Sequence, residues 1–380
     1  MHIVFNAWFW GQPATGSGQY IRHLLPALRR LDRNLQLSLV MPPHNPDPDN
    51  LPDDVTVIPS GNAKTTGKVG KVWFEQRTFP RLAHASGADL IHVPYWGSPL
   101  GASLPVVVSV LDVIPLLYPV YAQGGFNRLY TALVTAAAKN ADHILPISET
   151  SKIDIEEKLG IDFRDITVSY LAPDDRFHPM MGAEHDPQVC AKYDLPEQFV
   201  LGGFGFDPRK QVNELLLAYT YVGEAEGENI PLVLAGREPD WTNPLYADLR
   251  EYARRLDIED YVRWIGYVDE ADKPALYRLA DVFAFPSEYE GFGLPPLEAM
   301  ASGTPVVAWD SVVNDEVLES GAYLVDSARS MAGALLGLLL QKPLRDTMIN
   351  EGLAQATNYS WRKTAQATLE AYHYTLHGRE

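Results

Sequence analysis

Cysteine is the scarcest residue of interest in this 380-residue chain, which contains one, Cys190. One thiol cannot form an intrachain disulfide, so the sequence excludes a disulfide-stapled secreted scaffold and fits a reducing compartment. No basic segment precedes an apolar stretch at the N-terminus, which argues against a secretory signal peptide. The longest apolar run near the C-terminus, Ala332 to Leu340, is far below the roughly 20 residues that a membrane span needs. We therefore expect a cytoplasmic protein.

Positive charge is also scarce, since 31 Lys and Arg residues stand against 49 Asp and Glu residues and the net charge is −18. Such an acidic chain is a poor partner for nucleic acid, so none is expected. Residues 1–100 carry nine basic and seven acidic side chains, a balance of +2 that leaves −20 for the rest. Between Gly61 and Leu82, Glu75 alone stands against five basic residues, Lys64, Lys68, Lys71, Arg77 and Arg81. This stretch could face an anionic acceptor or the inner face of a membrane, or be a solvated loop.

The sequence also lacks several motifs that are typical of metal sites, serine hydrolases and nicotinamide-binding enzymes. It has no His-x-His pair and no cysteine cluster, and its ten histidines are scattered. Because such groupings supply the ligands of most metal sites, we predict no bound metal. The absence of G-x-S-x-G argues against a serine hydrolase. A complete G-x-G-x-x-G is missing too, so a nicotinamide cofactor is not expected.

Short β-branched runs alternate with longer helical patterns, which is typical of parallel α/β sheets. The runs that we predict as buried strands are Ile3–Asn6, Leu37–Met41, Leu90–Val93, Val106–Val110, His143–Ile147, Val200–Gly203, Pro231–Gly236, Val262–Ile265, Val282–Phe285 and Val306–Ala308. The predicted helices are Tyr20–Leu31, Tyr130–Asn140, Leu215–Tyr221, Pro244–Leu256, Lys273–Leu279, Leu297–Ala301 and Met331–Leu340.

The stretch from Phe177 to Pro187 contains proline and glycine and shows no periodicity, which indicates a linker. The chain also exceeds the roughly 250–300 residues at which single cores stop growing. We therefore predict a Rossmann-like domain over residues 1–178, a linker over 179–196, and a second Rossmann-like domain over 197–360. Two doubly wound domains facing each other across a cleft would bind ligands at the carboxyl ends of their strands.

Two glutamates eight residues apart, Glu290 and Glu298, stand in the run from Ser287 to Pro305. Two glycines between them allow the backbone to approach a ligand closely, and a Pro-Pro pair favours the first turn of a helix. Glu290 would then stay on the loop while Glu298 falls early in the helix, whose N-terminus is suited to phosphate. The layout suits a sugar nucleotide, which needs carboxylates for sugar and ribose hydroxyls and N–H donors for its diphosphate.

With Pro286 before it and Gly303-Thr304-Pro305-Val306-Val307 after it, this run resembles the paired-glutamate motif of glycosyltransferase family 4, the retaining enzymes that include sucrose, mannosyl and lipopolysaccharide-core transferases. The resemblance covers nearly the whole chain and implies the GT-B architecture, with a last helix, here in residues 361–380, crossing back onto the N-terminal domain. It implies that Glu290 contacts the donor sugar and Glu298 the ribose. The backbone that would hold the donor belongs to Gly291, Phe292, Gly293 and Leu294.

The segment from Gly202 to Lys210 resembles the part of the family that carries basic residues for the donor diphosphate. Arg209 and Lys210 match those residues, and positive charge is needed there because the diphosphate leaves with extra negative charge. Many members have another arginine where this chain has Phe204-Gly205, so Arg209 and Lys210 are the predicted pair. Our alternative interpretation of the two is a solvated loop.

Two further segments match donor-binding positions of the family. A turn formed by Gly266, Tyr267 and Val268 would offer backbone groups to the nucleobase. A glycine-rich loop containing Gly16 and Gly18 would approach the donor phosphates and the reacting centre, because glycines let N–H groups converge on an anion at a helix start. A plain strand–helix turn is the alternative for the glycine loop.

One position departs from the family pattern. Where the family usually has His-Asp, this chain has Leu111-Asp112. The family histidine normally lies beside the donor sugar, so Leu111 leaves a non-catalytic glycan- or nucleotide-binding protein open as an alternative. Asp112 is predicted as an acceptor-side or a structural carboxylate. A UDP-sugar epimerase of GT-B architecture is a further alternative, although the paired glutamates argue against it.

The resemblance leads to the prediction of a metal-independent retaining hexosyltransferase of polysaccharide or glycoconjugate biosynthesis that needs no cofactor besides its nucleoside-diphosphate sugar. The Asp-Pro-Arg-Lys spacing and the Ser-Trp pair at Trp361 look most like mannosyl- and rhamnosyl-type members. GDP-mannose is therefore the first donor candidate, with a UDP-sugar as the alternative. The acceptor hydroxyl, on a glycan, a lipid-linked or a small molecule, would enter near Gly16–Gly18 and Asp112. The linkage and the oligomeric state stay open.

Overall fold

The structure is a computed structural model, and it describes residues 1–45, 49–61, 67–122, 124–227, 229–243 and 245–378, apart from the side chains of residues 119 and 122. The chain forms two compact units, Met1–Leu171 together with Ser360–Glu380, and Ala172–Tyr359. Two predicted features, the basic residue Lys64 and the helix start at Pro244, lie outside the described residues.

A six-stranded parallel sheet with the order β3-β2-β1-β4-β5-β6 forms the centre of the first unit. Its strands are β1 His2–Asn6, β2 Gln36–Met41, β3 Val55–Pro59, β4 Leu90–Val93, β5 Val106–Ser109 and β6 His143–Leu145. Consecutive side chains such as Ile3, Val4 and Phe5 of β1 are fully buried. Near-continuous apolar strands of this kind are expected where helices cover both faces of a parallel sheet.

The helices of the first unit are α1 Gly16–Leu31, α2 Gly67–Trp73, α3 Phe79–Ala85, α4 Ile114–Leu117, α5 Gly125–Lys139, α6 Glu149–Leu159 and, at the end of the chain, α15 Trp361–His377. A π-helical turn, Phe74–Thr78, connects α2 to α3. None of the helices in the described part of the chain combines the length and the apolar character that crossing a bilayer requires.

Helix α15 brings the C-terminal residues back to the first unit, where it packs against α1. Ser360 caps its N-terminus with the side-chain oxygen, as serine at this position usually does. The Tyr372 hydroxyl lies 2.5 Å from Nδ1 of His92, whose Nε2 lies 2.8 Å from Oγ of Ser109. This buried chain of hydrogen bonds ties the last helix to β4 and β5.

The second unit has its own six-stranded parallel sheet, with the order β12-β11-β10-β7-β8-β9. Its strands are β7 Val200–Gly203, β8 Leu232–Ala235, β9 Val262–Gly266, β10 Val282–Phe285, β11 Val306–Trp309 and β12 Ala322–Val325. Its helices are α7 Asp186–Tyr193, α8 Val212–Glu226, α9 Leu249–Arg255, α10 Lys273–Leu279, α11 Leu294–Ala301, α12 Val312–Leu318, α13 Ala328–Leu340 and α14 Lys342–Ala356. The predicted fold class, two Rossmann-like α/β units, is confirmed by these two sheets.

Two strands were missed by the sequence analysis, and both are edge strands of their sheets. β3 is only partly buried along its length, and β12 exposes Tyr323. Because an edge strand is covered on fewer sides, it needs no continuous apolar run, and that run was the signal used to predict strands.

The predicted linker contains structure as well. Helix α7 lies within residues 179–196 and packs on α10. Arg278 of α10 contacts Asp186 at 2.5 Å, and Lys192 contacts Asp269 and Asp272 at 2.6 Å. Because ion pairs rather than an apolar stripe hold this helix, the hydrophobic pattern gave no sign of it.

Candidate active site

The strand order of the second unit reverses between β7 and β10, which lie side by side. From β7 the chain proceeds to β8 and β9 at one edge, and from β10 to β11 and β12 at the other. At such a switch point the loops that follow the two neighbouring strands diverge and leave a crevice for a ligand. Residues 204–211 and 286–293 form these two loops.

The loop after β7 begins with a tight reversal. Gly203 has a φ of +107°, and a Cβ there would lie 2.2 Å from the carbonyl oxygen of Ala235, so only glycine fits. The loop then forms a short 3-10 turn, Pro208–Lys210. The carbonyl of Arg209 accepts a 2.9 Å hydrogen bond from the backbone N–H of Glu288, which joins this loop to the one after β10.

The side chains of the two loops form an ion cluster around Glu290. Nη1 of Arg209 lies 2.6 Å from Oε2 of Glu290, and Nζ of Lys210 lies 2.5 Å from Oε1. Ser287 donates a third hydrogen bond, 2.8 Å long, to Oε1. The side chains of Arg209, Lys210 and Glu290 are 16%, 11% and 13% exposed, so water screens the cluster only weakly. Residues that the sequence singled out separately are therefore in direct contact.

Two opposing effects set the charge of Glu290. Burial by itself would raise the pKa of its carboxyl group, because desolvation disfavours the anion. The charges of Lys210 and Arg209, with hydrogen bonds from Lys210 and Ser287, outweigh burial and hold the pKa below its usual value. Glu290 is therefore ionised at neutral pH. Within the part of the chain that the structure describes, no group of three or more His, Cys, Asp or Glu side chains is placed to hold a metal ion.

Helix α11 starts directly after this loop, at Leu294. Gly293 makes the turn with a φ of +88°, and a proline pair occupies the first helical turn, as the sequence predicted. The first backbone N–H groups of a helix have no acceptor within the helix, so they are available to an anion. The ring of Phe292 packs edge-on against Tyr359 at 5.4 Å and is buried, so only the backbone of Phe292 could face a donor.

Glu298 lies one turn further along α11 and is only 6% exposed. The Tyr277 hydroxyl donates a 3.1 Å hydrogen bond to its Oε2. Burial raises the pKa of Glu298 to about 7, while the nearby charge of Lys273 and the bond from Tyr277 oppose the rise and the charge of Glu270 adds to it. The two glutamates of the motif thus differ in charge behaviour, since Glu290 is held ionised and Glu298 titrates near neutrality.

Asn314 lies beside the loop that ends at Gly293, and the sequence analysis assigned it no role at the site. It is fully buried at the start of α12, where its Nδ2 donates a 2.8 Å hydrogen bond to the Trp309 carbonyl. Its Oδ1 is buried and lacks a hydrogen-bond partner among the described residues, and it faces Gly293 at 3.5 Å from the place of a Cβ. An unpaired buried oxygen is unfavourable, so this one suits a ligand hydroxyl or N–H group. An asparagine near a helix start reads as a capping residue, so no sequence signal distinguished it.

The turn after β9 presents both backbone and side-chain groups. Gly266 has a φ of +71°, and its carbonyl accepts a 2.7 Å hydrogen bond from the N–H of Gly236. Val268 is buried, whereas Tyr267 is 45% exposed with the Arg237 guanidinium 5.6 Å above its ring. The predicted nucleobase turn therefore carries an exposed aromatic–cation pair that the sequence analysis had not singled out.

In the first unit, Gly16 and Gly18 belong to the first turn of α1, which begins four residues earlier than predicted. The side chain of Thr15 caps the helix by accepting a 3.1 Å hydrogen bond from the N–H of Gly18, which offsets the low helix propensity of glycine. A Cβ on Gly18 would lie 2.1 Å from the Gln12 carbonyl oxygen, whereas one on Gly16 would meet nothing within 4 Å. Gly18 is thus required by packing, and Gly16 is the open position.

The structure gives Asp112 a local contact. Its Oδ1 accepts a 3.0 Å hydrogen bond from the N–H of Ile114 at the start of α4, a turn-stabilising bond common for aspartate. Leu111, which replaces the family histidine, is partly buried beside α6, where its carbonyl oxygen lies 3.5 Å from Oγ of Ser151. Asp112 therefore makes a structural contact within its own turn. Its role on the acceptor side stays a prediction.

Two family models and several known proteins match this chain. Residues 14–175 match the family model "Glycosyltransferase Family 4", and residues 201–355 match "Glycosyl transferases group 1". O-antigen chain mannosyltransferase B of Escherichia coli is 33% identical over 269 residues, which are 70% of this chain and 69% of that protein. The chain belongs to glycosyltransferase family 4. It spans 32% of the length of another match, the serotype-specific mannosyltransferase WbdA of Escherichia coli.

Solved structures agree with the fold of this family 4 glycosyltransferase. Sucrose-phosphate synthase from Thermosynechococcus elongatus matches with a TM-score of 0.75 and 21% identity, over 98% of both chains. HepE of Anabaena, crystallised with UDP and glucose, matches with a TM-score of 0.72 and 19% identity, over 97% of this chain and 98% of that one. At such identities the likeness shows the GT-B fold and leaves the substrates open.

Proposed function

We propose that this glycosyltransferase moves a sugar from a nucleoside diphosphate to an acceptor hydroxyl with retention of configuration, needs neither a metal ion nor a cofactor, and acts in polysaccharide or glycoconjugate biosynthesis. The cluster of Arg209, Lys210 and Glu290 at the switch point of the second sheet carries this proposal. Two cations and a carboxylate at the carboxyl ends of neighbouring strands are what a sugar diphosphate requires.

In the proposed complex Arg209 and Lys210 bind the donor diphosphate and stabilise the charge that develops on it as the glycosidic bond breaks. In the free protein both cations are engaged with Glu290. A diphosphate carries more negative charge than one carboxylate, so it would compete for the same N–H donors. Glu290, released in part from its cations, would then accept hydrogen bonds from the hydroxyls of the donor sugar.

Glu298 would hold the ribose of the nucleotide. The ionised carboxylate can accept bonds from two adjacent hydroxyls, and Tyr277 already orients one of its oxygens. The amides at the start of α11 lie between the two glutamates in the chain and would donate to the diphosphate. The turn from Gly266 to Val268 would receive the nucleobase.

Retention can be tested by the configuration of the product. No side chain is assigned as a nucleophile, so the acceptor hydroxyl attacks on the face from which the diphosphate leaves, and a leaving phosphate oxygen takes the hydroxyl proton. We expect an α-linked product from an α-linked donor. The measurement is the one-bond coupling constant between C1 and H1 of the transferred sugar, taken by NMR on the first product formed. A β-linked first product would overturn the retaining mechanism.

The donor can be identified from the free protein. GDP-mannose is the first candidate because mannosyltransferases are among the relatives, with a UDP-sugar as the alternative because HepE was crystallised with UDP. Thermal shift against GDP, UDP, ADP and dTDP, each with EDTA and with Mg²⁺, should show selective stabilisation by GDP in both conditions. At a hundredfold excess over Kd the gain is about 2.7 kcal/mol. Stabilisation that requires Mg²⁺ would overturn metal independence. If none of the four nucleotides stabilised the protein, the transferase proposal itself would be overturned.

The proposal also includes a location. We place the protein in the cytoplasm, which the single cysteine supports, and its acceptor among glycans, lipid-linked or small molecules. The basic stretch of the first unit supports contact with the inner face of a membrane, where a lipid-linked acceptor would be found.

A further inference from the structure

Three glycines stand at the carboxyl ends of three neighbouring strands of the second unit. Gly205 follows β7, Gly236 follows β8 and Gly266 ends β9, and their φ angles are +143°, +131° and +71°. A Cβ on Gly236 would lie 3.2 Å from the backbone nitrogen of Gly205, and the Gly236 N–H donates a 2.7 Å hydrogen bond to the Gly266 carbonyl. Because none of the three carries a side chain, they form a continuous strip of bare backbone that a ligand can approach closely, the glycine strip.

One end of the glycine strip lies at the proposed diphosphate site. A Cβ on Gly205 would lie 3.4 Å from Cε of Lys210. Phe204, the preceding residue, has its ring 5.5 Å from that of Tyr277, whose hydroxyl bonds to Glu298. Neighbouring strands are about 4.8 Å apart, so the strip extends roughly 10 Å from the residues proposed for diphosphate and ribose. A nucleoside that lies along the strip would place its base at the far end.

The far end of the glycine strip carries an arginine that no acidic side chain neutralises. Arg237 is exposed and, among the residues that the structure describes, its guanidinium contacts the ring of Tyr267 at 5.6 Å but no carboxylate. Glu238, the next residue, is engaged elsewhere, because Arg250 donates hydrogen bonds of 2.7 and 2.8 Å to its carboxylate. A Cβ on Gly266 would meet nothing within 4 Å, so the space beside the turn is open. Arg237 therefore presents its N–H donors where the base would lie.

The guanidinium can distinguish nucleobases by the arrangement of its donors. Arginine presents a rigid, planar fork of N–H groups, which is best satisfied by two acceptors side by side. Guanine has such a pair in O6 and N7, whereas adenine has an amino group beside N7 and thymine has a methyl group beside O4. Uracil has a C–H group in place of that methyl group. Among these bases, guanine alone satisfies the fork.

We propose that Arg237 is the specificity-determining residue for the nucleobase and that its guanidinium donates two hydrogen bonds to O6 and N7 of guanine. Tyr267 is a positioning residue, because its ring attracts the guanidinium and holds it over the turn. This role deepens the proposed function, on which it rests, by naming guanine as the base of the donor from side chains of the second unit.

Isothermal titration calorimetry of the full chain with nucleoside diphosphates tests this role atom by atom, with neither donor sugar nor acceptor present. IDP keeps O6 and N7 and lacks only the 2-amino group of GDP, whereas 7-deaza-GDP lacks N7. We expect the wild type to bind IDP about as tightly as GDP. UDP should bind more weakly by roughly 5- to 150-fold, the discrimination of one bidentate pair, and 7-deaza-GDP, which loses one of the two bonds, should lie between them.

Substitutions at the two side chains assign the effect to them. Arg237→Ala should lower the affinity for GDP to about that for UDP, leave UDP unchanged, and remove the difference between GDP and 7-deaza-GDP. Arg237→Lys keeps the charge and loses the fork, so it should behave in the same way. Tyr267→Leu should weaken GDP alone by roughly two- to fivefold, the effect of an exposed cation–π contact.

The matched controls are Arg329→Ala, at an exposed arginine of the same unit, and Tyr221→Leu, at a tyrosine that is 47% exposed. Both should bind every nucleotide as the wild type does. Equal losses of GDP and UDP in Arg237→Ala would overturn the role, because the guanidinium would then act on a group common to all nucleotides. Weaker binding of IDP than of GDP by the wild type would overturn it as well, since the 2-amino group would then be the one selected.

The same titrations separate this role from the proposed function. If the wild type bound none of these nucleotides, the proposed function itself would fail. If it bound them and the Arg237 variants kept the preference for GDP, or if the wild type bound UDP most tightly, the role of Arg237 alone would be wrong.

Discussion

Replacing Lys210 with alanine is expected to lower kcat/KM for sugar transfer roughly 30- to 150-fold, or about 2–3 kcal/mol of transition-state stabilisation. Lys210 is 11% exposed and bonds to Glu290, so its charge acts with little screening by water. The loss should fall mainly on kcat, because the negative charge on the diphosphate grows as the glycosidic bond breaks. Steady-state kinetics with saturating acceptor measure this split.

The matched control is Lys342→Ala, which removes an exposed lysine paired with Asp346 on the surface of the same unit. Its kinetics should equal those of the wild type. Glu290→Ala should abolish transfer, because the donor sugar would lose its carboxylate. If Lys210→Ala retained wild-type kcat/KM, Lys210 would have no role at the diphosphate. If Glu290→Ala retained activity, the assignment of the paired glutamates would be wrong.

Nucleotide affinity is expected to fall about tenfold between pH 8 and pH 6, because ribose binding needs Glu298 in its ionised form. The pKa of Glu298 in the free protein is about 7 as a result of its burial. Ribose hydroxyls donate to a carboxylate, so binding selects the anion, and below pH 7 the protein must first lose a proton. Each further pH unit then weakens binding by about tenfold, or 1.4 kcal/mol. Isothermal titration calorimetry of GDP across this range, in buffers of different ionisation enthalpy, gives both the affinity and the protons released.

Glu298→Gln separates this effect from the titration of the nucleotide, whose terminal phosphate has its own pKa of about 6. The variant should bind more weakly at pH 8 but should show only the shallow pH dependence of the phosphate. Tyr277→Phe keeps the carboxyl group and removes one bond that opposes the rise of its pKa, so the midpoint should move to higher pH. A wild-type profile as flat as that of Glu298→Gln would rule out Glu298 as the ribose carboxylate.

Much of the fold was predictable because its central strands are buried on both faces. Strands such as β4 and β10 are short apolar runs between helices, and the structure has them at the predicted bounds, Leu90–Val93 and Val282–Phe285. Their signal is local, since burial on both faces demands apolar residues at every position. The edge strands β3 and β12 and the ion-paired helix α7 escape this rule because their neighbours, rather than their own composition, hold them in place.

In the candidate site too, some features follow from local sequence motifs and others depend on contacts made by folding. Arg209, Lys210 and Glu290 were each identified from a local motif, but their mutual contact depends on two loops 80 residues apart in sequence. Asn314 left no local signal, because its relevance comes from an unpaired oxygen aimed at Gly293. The start of α1 was placed four residues late, because the side chain of Thr15 caps a turn that its glycines alone would not favour.

By itself the sequence determined the class of fold, the two halves, the paired glutamates and the basic pair, since composition and short-range spacing encode burial and turn geometry. Only the tertiary structure decided that Glu290 pairs with both cations in the free protein and that Glu298 titrates near pH 7. The physical reason is common to both. The charge state of a side chain depends on how far it is desolvated and on which neighbours folding brings close to it. Neither the desolvation nor the neighbours follow from the residue type or from its position in the chain.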